Sequence, residues 1–283
     1  MIQNVSVIGA GTMGNGIAHV FAQYGFATVL IDTDEKQLQN AIQNIIKNLD
    51  RQIKKEIISE STKNDTLKNI TTTTKINEGV STADLIIEAA TENLEIKLSI
   101  FKQISDLAPS NCILASNTSS ISISKIAEVT NHPDKVIGMH FMNPVPVMKL
   151  VEIIKGDKTT TEVTETIVEL SKQLNKIPCV VNDSPGFISN RILMPMINEA
   201  IFSLYEGVAT KEDIDTIMKL GMAHPMGPLQ LADLIGLDTC LNILLVLKDG
   251  FNDIKYTPCP LLVNLVKAGK LGVKSGEGFY KYA

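Results

Sequence analysis

Short apolar runs alternate with segments of helical periodicity along the first two thirds of the chain. Residues 4–8 form a β-branched run and residues 83–90 (ADLIIEAA) are almost wholly apolar, as is typical of buried strands. Residues 15–24 and 93–107 place apolar side chains at helical spacing, and residues 35–61 predict a pair of helices. Further strands are predicted at residues 28–31, 112–115, 136–141, 147–154 and 177–181. This alternation predicts an α/β fold with a doubly wound sheet.

The pattern changes at residues 182–186 (NDSPG), a cluster of turn-forming residues. Beyond this cluster the segments are mostly helical. Helices are predicted at residues 187–205, 211–220, 229–247 and 260–267. We therefore predict two domains, an α/β domain over residues 1–183 and an all-α domain over residues 184–283.

The first predicted strand leads directly into GAGTMG, which contains Gly9, Gly11 and Gly14. A helical segment and a second strand follow, and that strand ends at Asp32, 21 residues after Gly11. In a Rossmann-type fold such glycines allow a tight turn, the approach of a pyrophosphate and close helix packing. A carboxylate at the position of Asp32 binds ribose hydroxyls and repels a 2′-phosphate, so the motif predicts NAD rather than NADP. The alternative is a glycine turn with a purely structural role.

One histidine, His140, stands at the end of an apolar run and is followed by a turn that contains Asn143, Pro144 and Pro146. Glu152 lies in the next apolar run, twelve residues later. Two strands joined by this turn could bring the carboxylate to the imidazole, and such a pair performs acid–base chemistry near neutral pH. The alternative is a histidine at a strand end and a glutamate on the surface.

Composition favours a soluble cytoplasmic enzyme. No apolar run is long enough to span a bilayer, and the N-terminus shows no signal peptide. The formal net charge of −5 argues against a nucleic-acid partner. The four cysteines form no CxxC motif and the histidines no paired motif, so neither a disulfide framework nor a metal site is expected.

Several longer motifs resemble the 3-hydroxyacyl-CoA dehydrogenases, and most closely the short bacterial 3-hydroxybutyryl-CoA dehydrogenases. The resemblance covers nearly the whole chain. Its motifs are VIGAGTMGNGIA (7–18), IIEAATENLEIK (86–97), SNTSS (116–120), GMHFMNPVPVMKLVEI (138–153), DSPGFISNRIL (183–193), HPMGPLQLADLIGLD (224–238) and LGVKSGEGFYKY (271–282). Met142 departs from the pattern, since many members have an aromatic residue there.

This resemblance implies roles for particular residues. His140 would take the proton of the substrate's C3 hydroxyl, and Glu152 would orient His140. Ser119 and Asn190 would position the substrate's oxygens, whereas without the resemblance they would be interpreted as a turn residue and a helix-surface amide.

The resemblance also implies contacts with the cofactor. Glu92, Lys97 and Asn117 would lie near it, and by themselves Glu92 and Lys97 would be interpreted as an ordinary solvated helix face. The expected activity is that of an NAD-dependent (S)-3-hydroxyacyl-CoA dehydrogenase, an oxidoreductase that interconverts 3-hydroxybutyryl-CoA and acetoacetyl-CoA.

Two other classes of function remain alternatives. A related hydroxyacid dehydrogenase would often have a lysine base in a GxxxK motif, but Asn190 stands at that position after Gly186. A crystallin-like NAD-binding protein without activity is the other alternative, and the intact set of site residues argues against it.

Two further interactions are expected. Arg51, Lys54 and Lys55 share one helix face at i, i+3 and i+4, where they could bind the phosphates of CoA. A solvated basic face balanced by Glu56 is the alternative. Apolar helical stretches in residues 186–283 predict at least a homodimer through that region.

Overall fold

The computed structural model describes residues 2–282. The strands are β1 (Asn4–Ile8), β2 (Ala27–Ile31), β3 (Ile70–Thr73), β4 (Leu85–Glu88), β5 (Ile113–Ser116), β6 (Val136–Phe141), β7 (Leu150–Lys155) and β8 (Ile177–Asn182). The helices are α1 (Thr12–Gln23), α2 (Glu35–Lys54), α3 (Glu60–Lys68), α4 (Ile76–Val80), α5 (Leu94–Leu107), α6 (Ile123–Ala127), α7 (Thr161–Gln173), α8 (Ser189–Tyr205), α9 (Lys211–Gly221), α10 (Pro228–Ile235), α11 (Leu237–Phe251) and α12 (Pro260–Lys267).

All eight of these strands form one sheet in the order β3-β2-β1-β4-β5-β6-β7-β8. The pairs from β3 to β6 are parallel, and β7 then pairs with β6 in the antiparallel direction. The chain order reverses between β1 and β4, the kind of switch point beside which ligands bind in doubly wound sheets. The predicted Rossmann-type α/β fold is confirmed.

The chain divides into two compact units, of which the first ends at Ser184 and the second begins at Pro185. The core of the first unit packs α1 against the sheet. Phe21 of α1 makes edge-to-face contacts with Phe26 and with Phe141 of β6, at centroid distances of 5.5 and 6.5 Å. The strand that carries His140 is thereby held against the helix that follows the glycine turn.

The second unit is helical, as predicted, and has its own core. Met194 of α8, Leu229 of α10 and Leu244 of α11 are fully buried in it. Two buried carboxylates, those of Asp215 and Asp233, bind backbone groups of this unit. Asp215 accepts from the N–H groups of Leu229 and Gln230, where α10 begins, and Asp233 accepts from those of Phe279 and Tyr280.

Several element boundaries differ from those predicted. Helix α1 starts at Thr12 rather than at residue 15, because Gly11 is its N-cap. The predicted helix over residues 229–247 is two helices, because Gly236 between them has a φ of 103°. Strand β7 starts at Leu150 rather than at residue 147, because residues 142–149 form the turn after β6.

Helix α7 was not predicted. It packs against β7 and β8 of the sheet. Within residues 2–282 no single helix is long and apolar enough to cross a membrane. The pair α10 and α11, bent by 97°, meets the criterion jointly on length and composition alone.

Candidate active site

The glycine turn after β1 brings three backbone segments together. Gly9 has a φ of +99°, and a Cβ there would lie 2.6 Å from Cα of Ala90. A Cβ on Gly14 would lie 1.7 Å from the carbonyl oxygen of Gly9, so α1 packs directly on the turn. At Gly11 a Cβ would meet nothing within 4 Å. Two glycines are therefore required by packing, whereas the third borders open space.

The N-terminus of α1 lies beside that open space. It has no side-chain cap and no acidic residue in its first turn. The first N–H groups of a helix have no partner within it, and they carry the positive end of the helix dipole. An uncapped helix start beside a glycine without steric neighbours fits the pyrophosphate of a dinucleotide.

Asp32 follows β2 and connects the second strand to the glycine turn. Its Oδ2 accepts from the N–H of Ala10 at 2.7 Å, and its Oδ1 accepts from the N–H of Asp34 at 3.0 Å. These bonds hold the carboxylate beside the turn, at the end of β2, as the sequence pattern predicts. Each oxygen keeps further acceptor capacity for a ribose hydroxyl.

His140 and Glu152 form a buried pair. The antiparallel register of β6 and β7 places them directly opposite each other, and Nδ1 of His140 lies 3.0 Å from Oε2 of Glu152. The two residues are 8 % and 2 % exposed, so the alternative of a surface glutamate is wrong for Glu152. A carboxylate at Nδ1 keeps the proton on that nitrogen and orients the ring. A neutral imidazole with its proton on Nδ1 has Nε2 as its proton acceptor.

The segment after β5 is tied to this pair. Asn117 accepts from the N–H of Phe141 through Oδ1 at 2.9 Å, one residue after His140. Oε1 of Glu92 accepts from the backbone N–H and the hydroxyl of Ser119 at 3.0 and 3.1 Å. The same oxygen also accepts from Thr118 and Ser120. Glu92 thus fixes the conformation of the loop that carries Ser119.

Lys97 is 1 % exposed, so its interpretation as part of a solvated helix face is wrong. Its Nζ donates to both carboxylate oxygens of Glu88, at 2.6 and 2.9 Å, and lies 3.8 Å from Oε2 of Glu92. Glu88 also accepts from the hydroxyl of Ser116 at 2.8 Å. This network links β4, β5 and α5 directly beneath the Ser119 loop.

Glu88 and Ser116 were not recognised in the sequence. The signal was a glutamate inside the apolar run ADLIIEAA, since a carboxylate in a buried strand requires a partner. The identity of the partner could not be read from that run, because Lys97 and Ser116 are nine and 28 residues away.

The remaining predicted site residues belong to α8 and to the end of α2. Asn190 belongs to the second unit, in the first turn of α8, and is 8 % exposed, so it is not a surface amide. Arg51, Lys54 and Lys55 are exposed at the C-terminal end of α2. Arg51 donates to Asn48 at 3.2 Å. Among residues 2–282 none of the three forms an ion pair within 4.0 Å with Glu56.

Two family models match nearly the whole chain. The NAD-binding domain of 3-hydroxyacyl-CoA dehydrogenases matches residues 4–184, and the C-terminal domain of the same enzymes matches residues 186–282. The chain belongs to the 3-hydroxyacyl-CoA dehydrogenase family. It is therefore an NAD-dependent oxidoreductase of that family.

Several known proteins are similar to this chain over nearly its full length. A probable 3-hydroxybutyryl-CoA dehydrogenase of Bacillus subtilis is 50 % identical over 281 residues, 99 % of this chain and 98 % of that protein. The crystal structure of the (S)-3-hydroxybutyryl-CoA dehydrogenase from Ralstonia eutropha superposes with a TM-score of 0.97 at 49 % identity and covers 100 % of both chains. The human mitochondrial hydroxyacyl-coenzyme A dehydrogenase is 44 % identical over 292 residues, 100 % of this chain and 92 % of that protein.

In the described part of the chain, no group of three or more His, Cys, Asp or Glu side chains could hold a metal ion.

Proposed function

We propose that this protein interconverts (S)-3-hydroxybutyryl-CoA and acetoacetyl-CoA. The observation that carries the proposal is the buried His140–Glu152 pair at the end of β6 and β7, in a chain whose relatives are named for this substrate. Oxidation of the alcohol breaks the C3–H and O–H bonds and forms the C3 carbonyl. NAD, when bound, supplies the acceptor for the hydride.

The chain's own residues handle the proton. Nε2 of His140 takes the proton of the C3 hydroxyl, and in the reverse direction it returns this proton to the oxygen. Glu152 stabilises the imidazolium that exists between these events, because its carboxylate contacts the other ring nitrogen. Ser119 and Asn190 position the substrate oxygen through neutral hydrogen-bonding groups, which add no charge near the reacting carbon.

We further propose that the first unit binds NAD rather than NADP. The open space at Gly11, the uncapped start of α1 and the carboxylate of Asp32 support this assignment. Gly9 and Gly14 keep the turn closed. On this proposal Glu92, Lys97 and Asn117 line the part of the site that binds the nicotinamide end of the cofactor. Asp32→Ser combined with an added arginine is expected to narrow the preference for NADH over NADPH. A wild-type enzyme that uses NADPH as well as NADH would contradict this assignment.

Arg51, Lys54 and Lys55 are proposed to bind the phosphates of CoA. Their exposure and the absence of ion pairs with Glu56 support this role. Replacing two of the three with alanine should raise KM for acetoacetyl-CoA by a few fold and leave KM for NADH unchanged. Added salt should weaken the effect, because solvated charge pairs are screened.

The second unit is proposed to bind substrate and to form a homodimer. It exposes large apolar side chains, among them Ile192 of α8 and Leu220 of α9, which are 66 % and 82 % exposed. Such apolar surface is typical of a contact between subunits. Light scattering at micromolar concentration should give at least the mass of a dimer, and a monomer would contradict the assignment.

A cytoplasmic location is also proposed. Its support is that all four cysteines are free, which is typical of a reducing compartment. Fractionation of cells that express the protein tests this.

The decisive experiment is an assay of NADH oxidation with acetoacetyl-CoA. Free acetoacetate and longer 3-ketoacyl-CoA thioesters serve as comparison substrates. We expect rapid turnover of acetoacetyl-CoA and little turnover of free acetoacetate, because the acid lacks the CoA contacts. Turnover of free hydroxyacids without any CoA thioester would contradict the proposed function.

A further inference from the structure

The turn over residues 142–149 closes the β-ladder that carries His140 and Glu152. Phe141 is paired with Val151, and the next pair of the ladder is His140 with Glu152. The acid–base pair therefore lies only two pairs from the start of the turn. Only the Phe141–Val151 pair separates the turn from the His140–Glu152 pair, so a displacement of the turn acts on the acid–base pair across a single step of the ladder.

Two independent contacts hold this turn. One of them is steric: Val145 packs on Gly16 of α1, where a Cβ would lie 2.9 Å from Cβ of Val145. The other is polar. Lys176, immediately before β8, donates from Nζ to the carbonyl oxygens of Val145 and Met148, at 2.5 and 2.7 Å.

The position of Lys176 is unusual for a lysine, because the residue is only 7 % exposed. It forms no salt bridge within residues 2–282. The titratable groups that face it are Lys149 from the turn and His19 from α1, and neither is a carboxylate. Burial and the charge of Lys149 lower the pKa of Lys176 to about 8.

Packing alone does not explain an amine at this position. A methionine would fill similar space without the cost of removing an ammonium group from water. What the amine adds is two strong hydrogen bonds to the carbonyl oxygens of Val145 and Met148, which lie seven and four residues before Glu152 in the chain. These bonds tie the turn to the start of β8.

We propose that Lys176 is a positioning residue, whose two bonds to the β6–β7 turn keep Glu152 in contact with His140. The inference rests on the proposed function of His140 as the proton-exchanging group. Lys176 touches neither the reacting atoms nor the cofactor in this role. It acts through the turn.

The test compares Lys176→Met with Lys176→Arg and with a matched control. Lys172→Met removes an exposed lysine of α7 that is paired with Glu169, and it leaves the turn intact. Lys176→Met should lower kcat for acetoacetyl-CoA at least about tenfold, because displaced catalytic groups lose rate steeply. KM for NADH should stay within about twofold of wild type for the same variant, since the turn is not proposed to bind the cofactor. Lys176→Arg should recover part of kcat, and Lys172→Met should keep all of it.

A second measurement does not depend on turnover. The chain has four histidines, so the NMR signal of His140 is identified by its absence in His140→Gln. In Lys176→Met the signal of the His140 Nδ1–H proton should move upfield, because a weakened hydrogen bond to Glu152 deshields this proton less. A role in stability alone would lower the melting temperature without moving this signal.

The outcomes separate the two proposals. If wild type turns over acetoacetyl-CoA while Lys176→Met keeps its kcat and its His140 Nδ1–H signal, only the positioning role fails. If wild type does not turn over acetoacetyl-CoA, the proposed function fails, and the His140 Nδ1–H signal still decides whether Lys176 controls the pair.

Discussion

Each unit of the molecule buries carboxylates, but the partners of these carboxylates differ. Glu152 in the first unit and Asp233 in the second are 2 % and 0 % exposed. Glu152 contacts the ring of His140, the group that is proposed to exchange the substrate's proton. Asp233 accepts from the backbone N–H groups of Phe279 and Tyr280 and from the hydroxyl of Tyr282.

Burial alone therefore does not identify a catalytic carboxylate. The groups that donate to Asp233 keep their protons at neutral pH. For Tyr282, burial and the hydrogen bond to Asp233 both raise the pKa above the usual range of a tyrosine. Asp233 thus fastens the C-terminal segment to α10, whereas Glu152 is proposed to stabilise the imidazolium of His140 during the reaction. Substitution at the two positions should accordingly affect different quantities, kcat for Glu152 and the free energy of unfolding for Asp233.

The largest expected effect is on catalysis at His140. His140→Gln cannot exchange the proton, so kcat should fall by about 10²- to 10⁴-fold while NADH binding persists. Glu152→Gln should also lower kcat, because a neutral amide does not stabilise imidazolium. The two losses should be less than additive, since Glu152 acts through His140. Steady-state kinetics of both single variants and the double variant measure this.

His132→Gln is the control for that experiment, because His132 is exposed and outside the site. A double variant that loses the full product of the two single effects would show that the residues act independently. A Glu152→Gln variant that unfolds more easily but keeps kcat would place Glu152 with Asp233 as a structural carboxylate.

The Glu88–Lys97 pair lies in the first unit. It resembles Asp233 and its donors, because neither Glu88 nor Lys97 exchanges a proton in the proposed reaction. Lys97→Met leaves Glu88 buried without its cation, which costs about 3–5 kcal/mol in comparable pairs. We expect a loss of stability of that order in urea unfolding. Lys102→Met, on the exposed face of the same helix, should lose almost none. Unchanged stability with a raised KM for NADH would instead assign Lys97 to cofactor binding alone.

Asp233→Asn tests the structural side of the comparison. An amide keeps one acceptor but brings its own N–H₂ group towards buried donors, so unfolding should become easier by about 2–3 kcal/mol. The kcat of the folded fraction should stay near that of wild type. Asp249→Asn, at an exposed position of α11, is the matched control. A large fall in kcat at full stability would refute the purely structural role.

A second buried histidine of the first unit, His19, can be compared with His140. His19 is 0 % exposed and has no carboxylate partner among residues 2–282, and burial lowers its pKa from 6.5 to about 4. Above pH 6.5 both folded and unfolded chains are neutral at this residue. Between pH 6.5 and 4 only the unfolded chain binds the proton. The free energy of unfolding should therefore fall by about 1.4 kcal/mol for each unit by which the pH is lowered.

Urea unfolding at pH 7.5 and pH 5.0 measures this slope. His19→Leu should remove roughly 2 kcal/mol of the acid-induced loss, which is the product of the slope and 1.5 pH units. His132→Leu, at an exposed position, should leave the pH dependence as it is in wild type. An identical acid-induced loss in His19→Leu and wild type would show that His19 is not held neutral by the fold.

The sequence by itself determined the elements that depend on local pattern. Short apolar runs predicted every strand of the sheet except β3, and helical periodicity predicted the helical second unit. The glycine spacing with Asp32 predicted the turn that the structure contains. The spacing of His140 and Glu152 allowed them to pair but left a surface glutamate as the alternative, and the register of β6 and β7 decided between the two.

Only the tertiary structure decided the contacts that support these residues. Lys97 appeared to belong to a solvated helix until Glu88, nine residues away, was found bound to it. Lys176 reaches Val145 from 31 residues away. The physical reason is that periodicity reports which face of an element is buried, whereas the partner across that face is set by strand register and helix packing between distant segments.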